Sequence, residues 1–169
     1  AYMLTGTVIG GHDFPATAKI NNGVSSTLHD MLDWRDRTNV TGEILLNQIS
    51  GGTVAHGDLV FLSDSFRWIR VNQTKPESTR MLGIALSNVP GGNLMDVLIK
   101  GFVANANVAD PGVKPGTPMY IEEGTTTGTM KENAPTQGIV RLVGYTYVSD
   151  GLQNNGIYIL RFDPDQSWV

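Results

Sequence analysis

The sequence predicts an all-β fold, a β-barrel or sandwich built from an internal repeat of roughly sixty residues. Short apolar runs alternate with turn residues along most of the chain, which is typical of antiparallel barrels and sandwiches. The 20 glycines are scattered rather than periodic, so they fit many tight turns and not a fibrous repeat. Three short blocks occur twice in the same order, beginning at Gly57, Arg80 and Val97 and again at Gly116, Arg141 and Ile157.

Residues 1–24 are predicted to form an extended N-terminal arm. Tyr2 to Ile9 has the pattern of a strand that Gly10 and Gly11 end, and the residues that follow are too polar to support a core of their own. The alternative is a frayed terminus. The arm is favoured because its large apolar side chains would be costly to leave in water, and we therefore expect them to order against a partner. They include Tyr2, Leu4, Phe14 and Ile20.

Residues 25–41 are predicted to form one short helix and a connector. Leu28, Met31 and Leu32 are spaced as one face of a helix from Ser25 to Trp34. A helix this short is marginal in water, so it should pack on another surface. The next residues place a Trp among aspartates and arginines, which fits either a solvated turn with weak ion pairs or an interface anchor. The anchor residues would be Trp34, Arg35 and Arg37.

Residues 42–169 are predicted to form the β domain. Gly83 and Gly144 lie inside two matching strands and indicate a bulge or a close backbone approach. Trp68 lies in an alternating strand and is expected to be buried, and Trp168 is expected to dock because a free Trp exposes a large apolar surface. Whether the strands close one barrel or form two packed sheets stays open. The strands are expected at residues 43–49, 54–62, 66–71, 81–86, 94–103, 118–121, 139–148 and 156–162.

The composition argues against several classes of partner and site. The net charge is −4 at pH 7 and no run of Lys or Arg occurs, so no nucleic-acid partner is expected. The chain has no cysteine, which excludes disulfides, thiolate nucleophiles and Cys-ligated metals. No stretch approaches the roughly 20 apolar residues of a membrane helix, and no signal-peptide pattern is present. No membrane contact is therefore expected.

No active site, metal site or cofactor site is predicted. The three histidines, His12, His29 and His56, stand alone and lack the spacing of metal ligands. No G-x-S-x-G motif marks a serine nucleophile. The chain is therefore expected not to be an enzyme and to bind no cofactor.

The carboxylates give no catalytic pair either. Glu122 and Glu123 are neighbours at a strand end, where successive side chains point to opposite faces, which suits shared acid–base chemistry poorly. Asp58 and Asp64 fit turns in which an Asp side chain bonds to nearby backbone. These acids are predicted to be structural.

Six blocks of the β domain form a recurring pattern. They are S-G-G-T-V-A-H-G-D-L-V-F-L at 50–62, D-S-F-R-W at 64–68, L-G-I-A-L at 82–86, V-L-I-K-G-F-V at 97–103, G-T-P-M-Y-I at 116–121 and the ending R-F-D-P-D-Q-S-W at 161–168. Together these blocks resemble the pattern of tailed-phage capsid decoration (cement) proteins. The resemblance covers residues 42–169, and its blocks also recur in tail-associated and fibre proteins of these phages.

The resemblance implies a non-enzymatic virion structural protein that binds the outer surface of a phage head and stabilises the capsid lattice. Its implied partners are the major capsid protein and copies of itself, with which it would form a homotrimer. The protein would be made in the host cytoplasm and would then lie on the capsid surface. Residues 1–24 would attach it, for example by adding a strand to a neighbouring sheet. The alternatives are a tail, baseplate or fibre component of the virion and a carbohydrate-binding module that recognises the host.

Overall fold

The fold is described from a computed structural model that describes residues 2–4, 6–9, 12–14, 40–72, 74, 76–109, 113–123, 127–149 and 158–165. Contacts within the chain divide it into two units, residues 1–33 and 34–169. The helix predicted from Ser25 to Trp34 lies outside the described residues. Among the residues described, no helix is long and apolar enough to cross a membrane.

The first unit contains a small antiparallel sheet with the order β1-β2-β3. The sequence predicts one strand from Tyr2 to Ile9, but the structure divides this stretch into two strands that pair with each other. Leu4 lies opposite Gly6 in their register, and a residue without a Cβ allows the chain to reverse in so short a space. The strands are β1 Tyr2–Leu4, β2 Gly6–Ile9 and β3 His12–Phe14.

The second unit is one curled antiparallel sheet of nine described strands, a half-barrel, which confirms the predicted all-β class. Its first strand begins at Val40, two residues before the predicted start of the β domain. A single 3₁₀ turn, Pro76–Thr79, is the only helical segment among the described residues. The strands are β4 Val40–Ile49, β5 Leu59–Leu62, β6 Trp68–Arg70, β7 Leu82–Ala85, β8 Leu94–Ala104, β9 Pro118–Ile121, β10 Met130–Lys131, β11 Leu142–Ser149 and β12 Tyr158–Phe162.

Strand β8 is the centre of this sheet. Leu98 pairs with both Ile44 of β4 and Ile84 of β7, and Gly101 pairs with both β4 and β12. A strand residue pairs with one neighbour on each side, so β7 and β12 both lie on the edge of β8 opposite β4. Strand β4 therefore has a second edge with which no described strand pairs.

The sheet is covered on both faces in its middle. Along β5, Leu59 and Phe61 point into the larger hydrophobic cluster, whereas Val60 points into a smaller one on the other face. Trp68 is fully buried in the smaller cluster, as predicted, and its indole Nε1 donates a hydrogen bond to Oε1 of Gln48 at 3.1 Å. Burial on both faces explains why these strands are nearly continuous apolar runs rather than alternating ones.

The hairpin between β5 and β6 differs from the prediction at Phe66. The sequence predicts a strand from residue 66, but Phe66 is part of the turn and the strand begins at Trp68. Phe66 has a φ of +56°, and its N–H donates to the carbonyl oxygen of Ser63 at 3.0 Å. Its side chain is 81% exposed. The sequence suggested a strand because the apolar residues Phe66 and Trp68 alternate with polar ones. The backbone hydrogen bonds of Ser63 with Phe66 and Arg67 reverse the chain here and place Phe66 in the turn.

Phe66→Gly is expected to raise the free energy of unfolding by about 0.5–1 kcal/mol. A left-handed backbone costs a non-glycine residue about 1–2 kcal/mol, whereas glycine loses about 0.5–1 kcal/mol more in chain entropy. Denaturant midpoints of the two proteins measure the difference. Asn105→Gly is the matched control, since Asn105 has a φ of +59° but asparagine tolerates this region. A destabilised Phe66→Gly protein would contradict the argument.

Candidate functional site

Three of the eight predicted interface residues lie in described strands. Tyr2 and Leu4 lie in β1 and Phe14 lies in β3, in the first unit. The structure describes the backbone of these three residues and not their side chains, so their role in an interface stays a prediction. The other predicted interface residues, Ile20, Trp34, Arg35, Arg37 and Trp168, lie outside the described residues.

Asp58 is the most highly connected carboxylate among the described residues. Its side chain is only 3% exposed and accepts bonds from the Ala55 N–H at 2.8 Å, from Nε of Arg70 at 2.7 Å and from Nδ2 of Asn107 at 2.7 Å. The sequence predicts a turn at Asp58, and the Ala55 bond fits that prediction. The bonds to Arg70 and Asn107 cross between elements, so this carboxylate joins three segments of the sheet instead of presenting a reactive group.

His56 also has a structural role. Its ring Nε2 lies 2.9 Å from the carbonyl oxygen of Ala104, at the end of β8. Its backbone N–H donates to Oδ1 of Asn88 at 2.8 Å. Among the described residues, no group of three His, Cys, Asp or Glu side chains could hold a metal ion. His56 therefore serves to position a loop against β8.

Glu123 holds the loop that follows β10. The N–H and Oγ1 of Thr136 donate to its carboxylate at 2.8 and 2.9 Å, and these bonds lower the pKa of Glu123 below its usual value of 4.5. A carboxylate with a lowered pKa stays ionised near neutral pH, which does not suit a general acid. Neither this residue nor its neighbour Glu122 forms an acid–base pair in the described structure.

Glu123→Gln is expected to lower the melting temperature above pH 4.5, with a difference from the unmutated protein that shrinks as the pH falls. The folded pKa lies below the unfolded one, so the stabilising effect is present above the unfolded pKa and is lost as pH falls through the folded pKa. Thermal melts across the acid range measure it. Thr136→Ala keeps the N–H donor and should show a smaller version of the same trend, and a pH-independent difference would refute the explanation.

One groove of about 570 Å³ opens between β4, β8 and the end of β12. Its lining mixes charges of both signs, and Nζ of Lys100 lies 3.7 Å from Oδ1 of Asp163. The buried guanidinium of Arg141 donates to the carbonyl oxygens of Ser78, Arg80 and Asp165, so it ties the 3₁₀ turn to the segment after β12. Burial lowers the pKa of Arg141 from its usual value. The groove therefore holds two acids, Glu43 and Asp163, and Asp163 is engaged by Lys100, while Arg141 forms a structural clip.

Strand β4 and the start of β8 carry exposed apolar side chains. Leu46 is 63% exposed, and Leu94, which lies at the start of β8 opposite Ile49, is 59% exposed. We call Leu45, Leu46, Ile49 and Leu94 the β4 patch. The sequence signal was the run Ile44-Leu45-Leu46, which lacks the alternation of a strand with one wet face. The sequence predicts a strand here but does not show that its side chains are exposed.

A second exposed surface consists of aromatic side chains on β11. Tyr145 and Tyr147 are 44% and 48% exposed and flank the buried Thr146, and a register shift lies between Thr146 and Val148. Tyr147 packs edge-to-face on Phe102 with ring centroids 5.0 Å apart, and the guanidinium of Arg161 lies 5.2 Å from the Phe102 centroid. The contacts fix the orientation of Tyr147, so the surface is preformed.

Comparison with protein-family models, with curated proteins and with solved structures finds no match to this chain.

Proposed function

We propose that this chain is a non-enzymatic virion structural protein that binds the outer surface of a phage head and stabilises the capsid lattice. Residues 1–24 attach it to the major capsid protein, and copies of the chain associate, as a homotrimer in the arrangement that the resemblance implies. The observation that carries the proposal is the contrast between the polar and the apolar groups. Asp58, Glu123 and His56 are bonded to other parts of the fold, whereas large apolar side chains such as Leu46 and Phe66 are left exposed.

The internal repeat is part of this proposal, and the sheet topology supports it. β5 pairs with β6 and β7, and β7 pairs with β8; in the same way β9 pairs with β10 and β11, and β11 pairs with β12. Gly83 lies opposite Val60 in the first set, and Gly144 lies opposite Met119 in the second. The two sets join through β8 and β12. Blocks that resemble the decoration-protein pattern fall on several of these strands.

The copy number of the protein in purified virions tests the proposal. Quantitative mass spectrometry against the major capsid protein should give a ratio near one decoration chain per capsid subunit. A ratio corresponding to a few copies per particle would instead identify a tail, baseplate or fibre component. Absence from the particle would overturn both virion assignments.

The attachment role of residues 1–24 has a separate test. A chain lacking these residues should keep the circular dichroism of a β protein and lose binding to undecorated heads. Undiminished binding by the shortened chain would contradict attachment through the arm while leaving the decoration role in place.

Carbohydrate binding is the second candidate function, and the aromatic pair on β11 favours it. Exposed tyrosines can stack on sugar rings through their apolar surfaces. Tyr145→Ala and Tyr147→Ala should then abolish any signal on a glycan array. Phe66→Ala is the control, because Phe66 is exposed on another element. No signal from the unmutated protein would eliminate this candidate.

A further inference from the structure

The groove lies where the sheet splits beside strand β8. Strand β12 pairs with residues 101–104 of β8, and β7 pairs with residues 97 and 98 on the same edge. Ile99 and Lys100 lie between these two ranges, line the groove and pair with no described strand on this edge. The groove of about 570 Å³ is therefore built into the backbone where the two sets of strands meet, and its size is typical of small-ligand sites.

At the groove, a carboxylate lies between two cations. Nζ of Lys100 and Nη2 of Arg161 each lie 3.7 Å from an oxygen of Asp163. This separation is short enough for an ion pair but longer than a hydrogen bond, which spans about 2.7–3.2 Å. Polar atoms at such a separation can be bridged by a hydroxyl group that bonds to both. We call these three residues the charged rim; Lys100 and Asp163 also line the groove.

The charged rim can rearrange around a ligand at little cost in stability. The side chains of Lys100, Arg161 and Asp163 are 50%, 33% and 46% exposed, and ion pairs between exposed side chains contribute little to stability. The guanidinium of Arg141, by contrast, is buried and bonded to three backbone carbonyl oxygens, so the wall of the groove is fixed.

Aromatic rings lie beside the charged rim on the same face of the sheet. Arg161 of β12 is the cross-strand partner of Phe102 on one side and of Tyr145 on the other, and cross-strand partners share a face. The neighbouring Phe162 belongs to the larger hydrophobic cluster, which therefore lies on the opposite face. Tyr147 reaches the ring of Phe102 through its edge-to-face contact. We call Phe102, Tyr145 and Tyr147 the aromatic platform.

We propose that this face binds a neutral oligosaccharide. One sugar ring stacks on the aromatic platform, and the hydroxyl groups of the next ring bond to the charged rim at the groove. The proposal rests on the carbohydrate-binding candidate and deepens it, since it adds the polar half of the site and the class of sugar. It does not depend on the capsid role.

The balance of charges favours a neutral ligand. The two cations, Lys100 and Arg161, are matched by Asp163 and by Glu43, which lies opposite Lys100 in the register of β4 and β8 and lines the groove. A charged ligand would be attracted by one pair of these groups and repelled by the other. A hydroxyl group both donates and accepts, so it can bond to the carboxylate and to a cation at once. The C–H face of a sugar suits the aromatic platform.

A glycan array with neutral and acidic glycans, probed with the full chain, provides the first measurement. Neutral oligosaccharides should give the signal, and calorimetric titration with the strongest of them measures the dissociation constant. Asp163→Ala should raise this constant about tenfold or more, because a charged acceptor is lost. Asp163→Asn should lose less, because its amide oxygen still accepts. Glu132→Ala is the control, since Glu132 follows β10, three strands away from β12.

Two substitutions of Tyr147 test the aromatic platform. Tyr147→Ala should raise the dissociation constant about threefold to tenfold, because a stacked ring is lost. Tyr147→Phe keeps the ring and should bind like the unmutated protein. Equal losses for the two variants would overturn the stacked ring. Unchanged circular dichroism shows that the variants fold.

The other outcomes are distinguishable. Signal from acidic glycans alone, lost in Lys100→Ala, would overturn the neutral ligand and identify an anion site. Binding that requires Tyr147 but not Asp163 would overturn the charged rim as part of the site and leave the carbohydrate-binding candidate in place. No signal from any glycan would overturn both, while the copy number in virions would still decide the capsid role. A failed virion test with the expected titrations would leave this site intact.

Discussion

Gly101→Ala is expected to lower the free energy of unfolding by about 3–5 kcal/mol, a large fraction of the stability of an ordinary domain. Gly101 in β8 lies opposite Gly42 in β4, with φ values of +147° and +141°. A Cβ at Gly101 would overlap the carbonyl oxygen of Thr41, which is backbone and cannot turn away. Strain at such a φ costs about 1–3 kcal/mol, and forcing extra atoms into a packed site adds about 1–3 kcal/mol.

Two other glycines separate the contributions to that effect. Gly92 has a φ of +85° but open space around its Cα, so Gly92→Ala measures the backbone strain alone. Gly52 has open space and no left-handed φ, so Gly52→Ala should change little. Urea denaturation of the three variants should rank Gly101 first, Gly92 second and Gly52 last. A Gly101→Ala protein as stable as Gly52→Ala would show that β4 and β8 are not this close.

Asp58→Ala is expected to lower the free energy of unfolding by about 3 kcal/mol. Three donors point at this buried carboxylate, and hydrogen bonds to a charged group contribute about 1.5–3 kcal/mol each. The sum is reduced because the Arg70 side chain is 35% exposed and can regain water. Asp58→Asn should be nearly as costly, because its amide NH₂ would face a donor and only its oxygen can accept.

Asp64→Ala is the matched control for Asp58. Asp64 also pairs with an arginine, Arg80, but its side chain is 86% exposed. Exposed ion pairs contribute little to stability because water and salt screen them. The denaturant midpoint should therefore change far more for Asp58→Ala than for Asp64→Ala. Similar midpoints for the two variants would mean that the carboxylate of Asp58 is solvated.

The sequence predicted the β class and most of the strands of the second unit. β9 at Pro118–Ile121 has the predicted bounds, and β8 and β7 are within two residues of theirs. These strands are short apolar runs bounded by turn residues, a local signal that survives packing. Phe66 was misassigned because its alternation with Trp68 mimicked a strand, whereas hydrogen bonds within the turn from Ser63 determined its conformation.

The candidate surfaces were much less predictable than the strands. The run at Ile44 to Leu46 marks an apolar strand, but the sequence does not say whether its neighbours cover one edge or both. Similarly, Asp58 follows a glycine in an ordinary turn pattern, and its partners Arg70 and Asn107 lie 12 and 49 residues away. Contacts over such separations depend on strand pairing, which no local pattern encodes.

By itself, the sequence determined the β class, the net negative charge and the lack of cysteine chemistry. Charge and cysteine content follow from the composition alone, and the β class follows from patterns among neighbouring residues. Only the tertiary structure decided that β7 and β12 share one edge of β8, that β4 takes the other edge, and that no described strand pairs with the far edge of β4. The physical reason is that backbone hydrogen bonds between strands form between residues far apart in the chain. Which edge they leave open is settled when the whole sheet is assembled.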